Sequence, residues 1–131
     1  MNFRYLLLSS LFAGLIVFLS SMPDQSFPGD VSVITQVLYN LAHVPAYGLL
    51  AFLWLKSFSE TKFGKKYFTV TLLMLAGLFL FAISDEIHQS FVPGRTSSYM
   101  DIGLDVIGIS LGFGAYKLNL SCFSSRPSGK R

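Results

Sequence analysis

Charge is the scarcest commodity in this chain of 131 residues: only 13% are charged, against 52% hydrophobic, where a soluble domain carries about 25% charge. Polar surface to cover a water-soluble fold of this size is lacking. A single cysteine, Cys122, excludes an internal disulfide and a cysteine metal cluster. No internal repeat, coiled-coil heptad or glycine-rich phosphate loop is present. The stretches Tyr5–Met22 and Tyr67–Ser84 contain no charge at all. A mean hydropathy of +0.55 agrees with a small integral membrane protein.

Four apolar runs predict four membrane helices, at about 5–22, 37–55, 67–84 and 102–118. The first follows a short, singly positive start and has no small-residue cleavage pattern, so it reads as an uncleaved helix rather than a signal peptide. Pro45 is expected to bend the second helix, and Trp54 to sit at its interfacial end. Residues 119–131 read as a basic, disordered tail.

The net charge of +3 raises the question of nucleic acid. The basic residues instead stand at the ends of apolar runs, which excludes a nucleic-acid patch and points to membrane topology. Arg4, the 56–66 loop and the stretch from Lys117 onward hold every Lys and Arg except Arg95. Both termini are therefore expected in the cytoplasm, with the 23–36 and 85–101 loops outside. The fold expected is all-α, a multi-pass four-helix bundle in the cell membrane with a polar cluster at its outer face and residues 1–118 as one domain.

That topology gathers what the chain order scatters. Ser84–Gly108 holds four of the seven acidic residues and one of the two histidines. His43, near the outer end of the second helix, reaches the same depth as Asp85, Glu86 and Asp105 at a rise of about 1.5 Å per residue. Asp101, Asp105, Gly108, Gly112 and Ala115 recur at spacings of four, three, four and three, sharing a helix face. Gly108-x-x-x-Gly112 permits close helix contact. An acid within a membrane helix is a functional candidate, with a neighbour-helix hydrogen bond as the plain structural alternative.

Tyr47 falls one turn after His43, with Asn40 close by. Asp85 is expected to face His88 and Gln89, with Glu86 turned about 100° away toward another partner. Val92-Pro93-Gly94 is a turn signal that presents Arg95, either to a carboxylate such as Asp101 or to an anionic ligand. His43, Glu86 and Asp105 are candidates for acid–base chemistry. Asn40, Tyr47, Asp85, His88, Gln89, Arg95 and Asp101 are candidates for ligand binding. No cofactor is required. A divalent metal would find suitable ligand types here, though in no close-set motif. Several serines are available, but no nucleophile elbow marks one.

Ser84-Asp85-Glu86-x-x-Gln89-x-Phe91-x-Pro93-x-Arg95, followed by Asp101-x-x-x-Asp105-x-x-Gly108, resembles the signature of the VanZ-like family of small bacterial membrane proteins. His43-x-x-x-Tyr47-x-Leu49 resembles that family's earlier motif. The family commonly carries a basic residue three before the histidine, where this chain has Asn40, and often Asn where it has Asp105. Arg95 is thus the one basic side chain on the outer face. The resemblance implies a protein of the bacterial cell envelope, with the family's namesake linked to teicoplanin resistance. Expected partners are the lipid bilayer and an envelope lipid, a peptidoglycan precursor or a glycopeptide. A membrane enzyme acting on a lipid-linked or cell-wall substrate is the alternative. A transporter ranks last, because a relay of polar groups across the bilayer is missing.

Overall fold

The computed structural model describes residues 1–23, 40–58, 65–95 and 98–124. Within these the fold is all-helical, with α1 (Phe3–Ser20), α2 (His43–Ser57), α3 (Lys65–Gln89) and α4 (Tyr99–Ser124). Residues 24–36 of the expected 23–36 loop, 59–64 of the expected 56–66 loop and 37–39 of the expected second span lie outside the described residues. α1 and α3 are long and apolar enough to cross a membrane. α2 has only 15 residues, short of the about 20 an upright span requires. α4 has 26 residues but carries Asp101, Asp105 and Lys117.

The helices alternate in direction. At one end Asn2 N–H donates to Ser57 O at 2.6 Å, joining the start of α1 to the end of α2. At the other, Ser20 closing α1 bonds Asp85 near the end of α3, and His43 opening α2 bonds Asp105 near the start of α4. Charge separates along the same axis. Among the described residues the acids Asp85, Glu86, Asp101 and Asp105 collect with Arg95 at the second end. At the first, Lys56 donates to Asn119 Oδ1 and lies 5.4 Å from the Tyr5 and Phe52 ring centres, while Lys117 lies over Tyr67 and Phe113.

The inward face of each helix is narrow. On α3 it runs Thr71, Met74, Leu78, Ala82, Asp85, Gln89 with Glu86 beside it, the helical three-and-four spacing, apolar from Met74 to Ala82 and then abruptly polar. On α2 it is Tyr47, Leu50, Ala51 and Leu55. Two apolar clusters result, one around Tyr47, Leu50, Leu78 and Ile109 beneath the acidic end, the other around Leu55, Met74 and Tyr116 toward the basic end. Elsewhere large apolar side chains face outward: Leu7, Leu11 and Phe18 of α1 and Leu72, Leu73 and Leu80 of α3 are all half or more exposed. Meanwhile Ser9, Ser57 and Asp105 are fully buried. An exterior this apolar suits lipid.

α2 and α4 pack most closely, through glycine. A Cβ on Gly108 would collide with Val44 O, and one on Gly112 with Gly48 O. Gly48 in turn stands against Gly108, whose carbonyl oxygen a Cβ would meet at 3.2 Å. Gly108-x-x-x-Gly112 is thus a backbone-to-backbone contact. The expected face of α4 drifts by one residue at its far end: Tyr116 is buried and Ala115 exposed.

Several expectations are corrected. Pro45 does not bend α2 from within. Asn40 and Leu41 are helical, Ala42 is a turn and α2 starts at His43, so Pro45 sits in the first turn, where its missing N–H costs nothing. The break falls there because Pro45 cannot donate to Leu41 O and its ring crowds that carbonyl. α4 continues to Ser124 rather than giving way to an irregular tail at 119. Trp54 keeps its expected place near the end of α2, where it is half-buried, packs on Phe58 and lies against both apolar clusters.

Candidate functional site

Three helix ends and one turn build the polar end. Val92 and Arg95 close the turn through Arg95 N–H to Val92 O at 3.2 Å. Pro93 precedes Gly94, whose φ of 82° is the left-handed position a type II turn requires. Ser98 then caps α4, its Oγ accepting Met100 N–H at 3.1 Å. In a capping box the acid three residues on, here Asp101, would accept the cap's own N–H. Instead Glu86 Oε2 takes Ser98 N–H at 3.2 Å, and buried Asp101 Oδ1 is left without a partner.

Asp85 and Glu86, adjacent in sequence, do have different partners. Asp85 Oδ2 accepts from Ser20 Oγ at 2.9 Å, Gln89 Nε2 at 3.0 Å and Tyr47 OH at 3.3 Å. Gln89 Nε2 also reaches Ser20 Oγ at 3.1 Å. These contacts fasten α1, α2 and α3 at one point. His43 Nδ1 lies 2.9 Å from Asp105 Oδ1, and its ring stacks over Tyr47 at 6.3 Å. Asp105 is wholly enclosed, whereas the His43 side chain retains 18% exposure. One donor atom from each of His43, Glu86 and Asp105 lies within 4.8 Å of the others. The structure therefore joins His43, Tyr47, Asp85, Glu86, Gln89, Asp101 and Asp105 at one end of the bundle.

Arg95 and His88 stand apart from the carboxylates. Arg95 makes no carboxylate ion pair among the described residues. It donates to Leu19 O at 3.0 Å, Met22 O at 3.3 Å and Gln89 Oε1 at 3.2 Å. Its fork thus caps the C-terminal carbonyls of α1, where a cation also complements the helix dipole. His88 points away from Asp85 and meets Ser21 Oγ through Nε2 at 2.9 Å. Asn40 is half-buried before the Ala42 turn and hydrogen-bonds no other described residue. Ser84 is turned to its own helix, donating to Leu80 O.

Ser20 is the participant that sequence reasoning overlooked. Its signal was present: Ser9, Ile16 and Ser20 are the buried residues of α1, at spacings of seven and four on one helical face.

The electrostatics are one-sided. Asp85 Oδ1, Glu86 Oε1, Asp101 Oδ1 and Asp105 Oδ2 are buried without hydrogen-bond partners, a costly condition for carboxylates. Burial holds the Asp101 carboxyl above the usual carboxylate range, against the opposing pull of His43 and Arg95. The arrangement can hold a proton or a cation, and His43 with Asp105 forms an oriented acid–base pair.

A groove of about 550 Å³ opens beside the site between α2 and α4, lined by apolar residues from Val44 and Pro45 to Phe52 and Ala115. Gly48 and Gly112 form part of its wall.

No curated protein and no solved structure matches the chain. The family described as VanZ/LLP1 matches residues 4–120, which takes in most of each helix and every residue of the polar end, and the chain belongs to that family.

Proposed function

We propose that this protein is a multi-pass membrane protein of the bacterial cell envelope that holds a lipid or lipid-linked cell-wall molecule at its outer end. All four helices cross the bilayer, both termini are cytoplasmic and the carboxylate cluster faces outward. The concentration of Lys56 and Lys117 at the opposite end supports this orientation. The observation that carries the reading is the continuity of groove and site. The apolar groove starts at Val44 and Pro45, immediately after His43, so an acyl chain in it brings a headgroup to His43 and Asp105. Through sequestration of such a molecule the protein contributes to resistance against teicoplanin-type glycopeptides.

Native mass spectrometry of detergent-extracted protein tests the binding. Wild type retains a lipid; Leu49→Trp, which fills the groove from an exposed position, loses it; His88→Ala retains it. Equal retention by wild type and Leu49→Trp refutes the reading. Reporter fusions at the C-terminus test the topology.

The 2.9 Å contact of His43 and Asp105 favours a second reading, in which the bound molecule is also a substrate. His43 acts as general base and Asp105 orients it. Envelope-lipid profiles of wild-type and His43→Ala cells then differ; identical profiles exclude it.

A further inference from the structure

We propose that His43, Glu86 and Asp105 form a binding site for one divalent transition-metal ion, of the Zn2+ or Mn2+ type. The inference deepens the reading of the same site and rests on it only for the identity of the headgroup, not for the metal.

Geometry is the first argument. Adjacent donors about 2.1 Å from one ion stand about 3.4 Å apart in a tetrahedral site and about 3.0 Å apart in an octahedral one. His43 Nδ1 and Asp105 Oδ1 are 2.9 Å apart. A donor of Glu86 completes the group within 4.8 Å. Tetrahedral ligands of Zn2+ are about 3.4 Å apart and opposite ligands of an octahedral Mn2+ about 4.2 Å apart, so the group closes on the ion by a side-chain contraction.

Unmet bonding is the second argument, and it is independent of spacing. Asp105 is fully buried and Glu86 is 3% exposed, yet Asp105 Oδ2 and Glu86 Oε1 have no hydrogen-bond partner. Buried carboxylates persist when paired with a cation or a metal. Among the described residues the one nearby fixed cation, Arg95, is occupied by Leu19 O, Met22 O and Gln89 Oε1. Asp85 Oδ1 and Asp101 Oδ1, also unpartnered, add negative potential to the same end.

The donor set narrows the ion. One imidazole with carboxylates suits Zn2+ or Mn2+ better than Ca2+ or Mg2+, which take oxygen alone. Partial exposure of His43 leaves an entry path. The ion also resolves a conflict of charge. A phosphate headgroup delivered by the adjacent groove meets carboxylates and, among the described residues, no free cation, and a divalent ion supplies positive charge there.

The test is calorimetric titration of Zn2+, and separately Mn2+, into chelator-stripped full-length protein in detergent micelles, without added lipid. Wild type binds one ion per chain. Glu86→Gln, nearly isosteric and still able to accept Ser98 N–H, binds at least tenfold more weakly, as does His43→Ala. His88→Ala binds like wild type. Absence of stoichiometric binding of both metals by wild type overturns the site, as does undiminished binding by Glu86→Gln and His43→Ala. Lipid retention is measured separately, so loss of one result leaves the other standing.

Discussion

Ser20 and Asp85, 65 residues apart in the chain, meet through a buried 2.9 Å hydrogen bond that ties the end of α1 to the end of α3. Tyr47 and Gln89 converge on the same carboxylate oxygen. α1 is thereby held at its C-terminal end by a polar clasp rather than by apolar contact alone.

Ser20→Ala should destabilise the protein by about 1–3 kcal/mol, the range for removing a donor from a buried charged acceptor. Tyr47→Phe should cost less, because its contact is the longest of the three at 3.3 Å. Denaturant unfolding in micelles measures both. A double-mutant cycle of Ser20→Ala with Gln89→Ala should show non-additivity, since the two side chains also bond one another.

The glycines of α4 should divide sharply. Gly112→Ala places a methyl against Gly48 O and should cost at least about 1–3 kcal/mol through overpacking. Gly114→Ala, with nothing within 4 Å of the added carbon, should stabilise by about 0.5–1 kcal/mol through helix propensity. Thermal unfolding of the two single variants separates them.

Arg95→Lys should not substitute for arginine. An ammonium cannot span the carbonyls of Leu19 and Met22 and the Gln89 side chain together as the planar fork does. Hydrogen exchange should accelerate at the end of α1 in Arg95→Lys and further in Arg95→Ala, with the middle of α3 unchanged. Equal protection in all three proteins would contradict the capping role.

Asp101 sets a pH dependence in the metal-free protein. Its folded-state pKa is raised by burial, so the folded state holds its proton more tightly than the unfolded one. The stability this confers is complete below the ordinary Asp pKa of about 3.9. It is lost as pH rises through the elevated folded value. Asp101→Asn should therefore be more stable relative to wild type at neutral pH than at pH 4, measured by unfolding at each pH.

Much of the site could be read from the chain because long apolar runs limit the options. Charge is expensive within apolar runs, so Asp85, Glu86, Asp101 and Asp105 stood out, and helical spacing put Asp101, Asp105, Gly108 and Gly112 on one face. The same reasoning failed at Arg95. Opposite charge suggested a carboxylate partner, but three uncharged acceptors at the end of α1 and on Gln89 match its fork. Ser20 escaped notice because a serine at the end of an apolar helix has many ordinary roles.

Local sequence alone determined the helical class, the small-residue face of α4, the Pro93-Gly94 turn and the crowding of acids in one stretch. These follow from composition, periodicity and backbone sterics, which act within a few residues. That the glycine face meets α2 came from the tertiary structure. Tertiary structure decided which donor meets which acceptor: Ser20 with Asp85, Glu86 with the cap of α4, His43 with Asp105, Arg95 with α1. Such choices depend on the relative rotation and depth of helices from distant parts of the chain. Only there does it emerge that four buried carboxylate oxygens remain without partners.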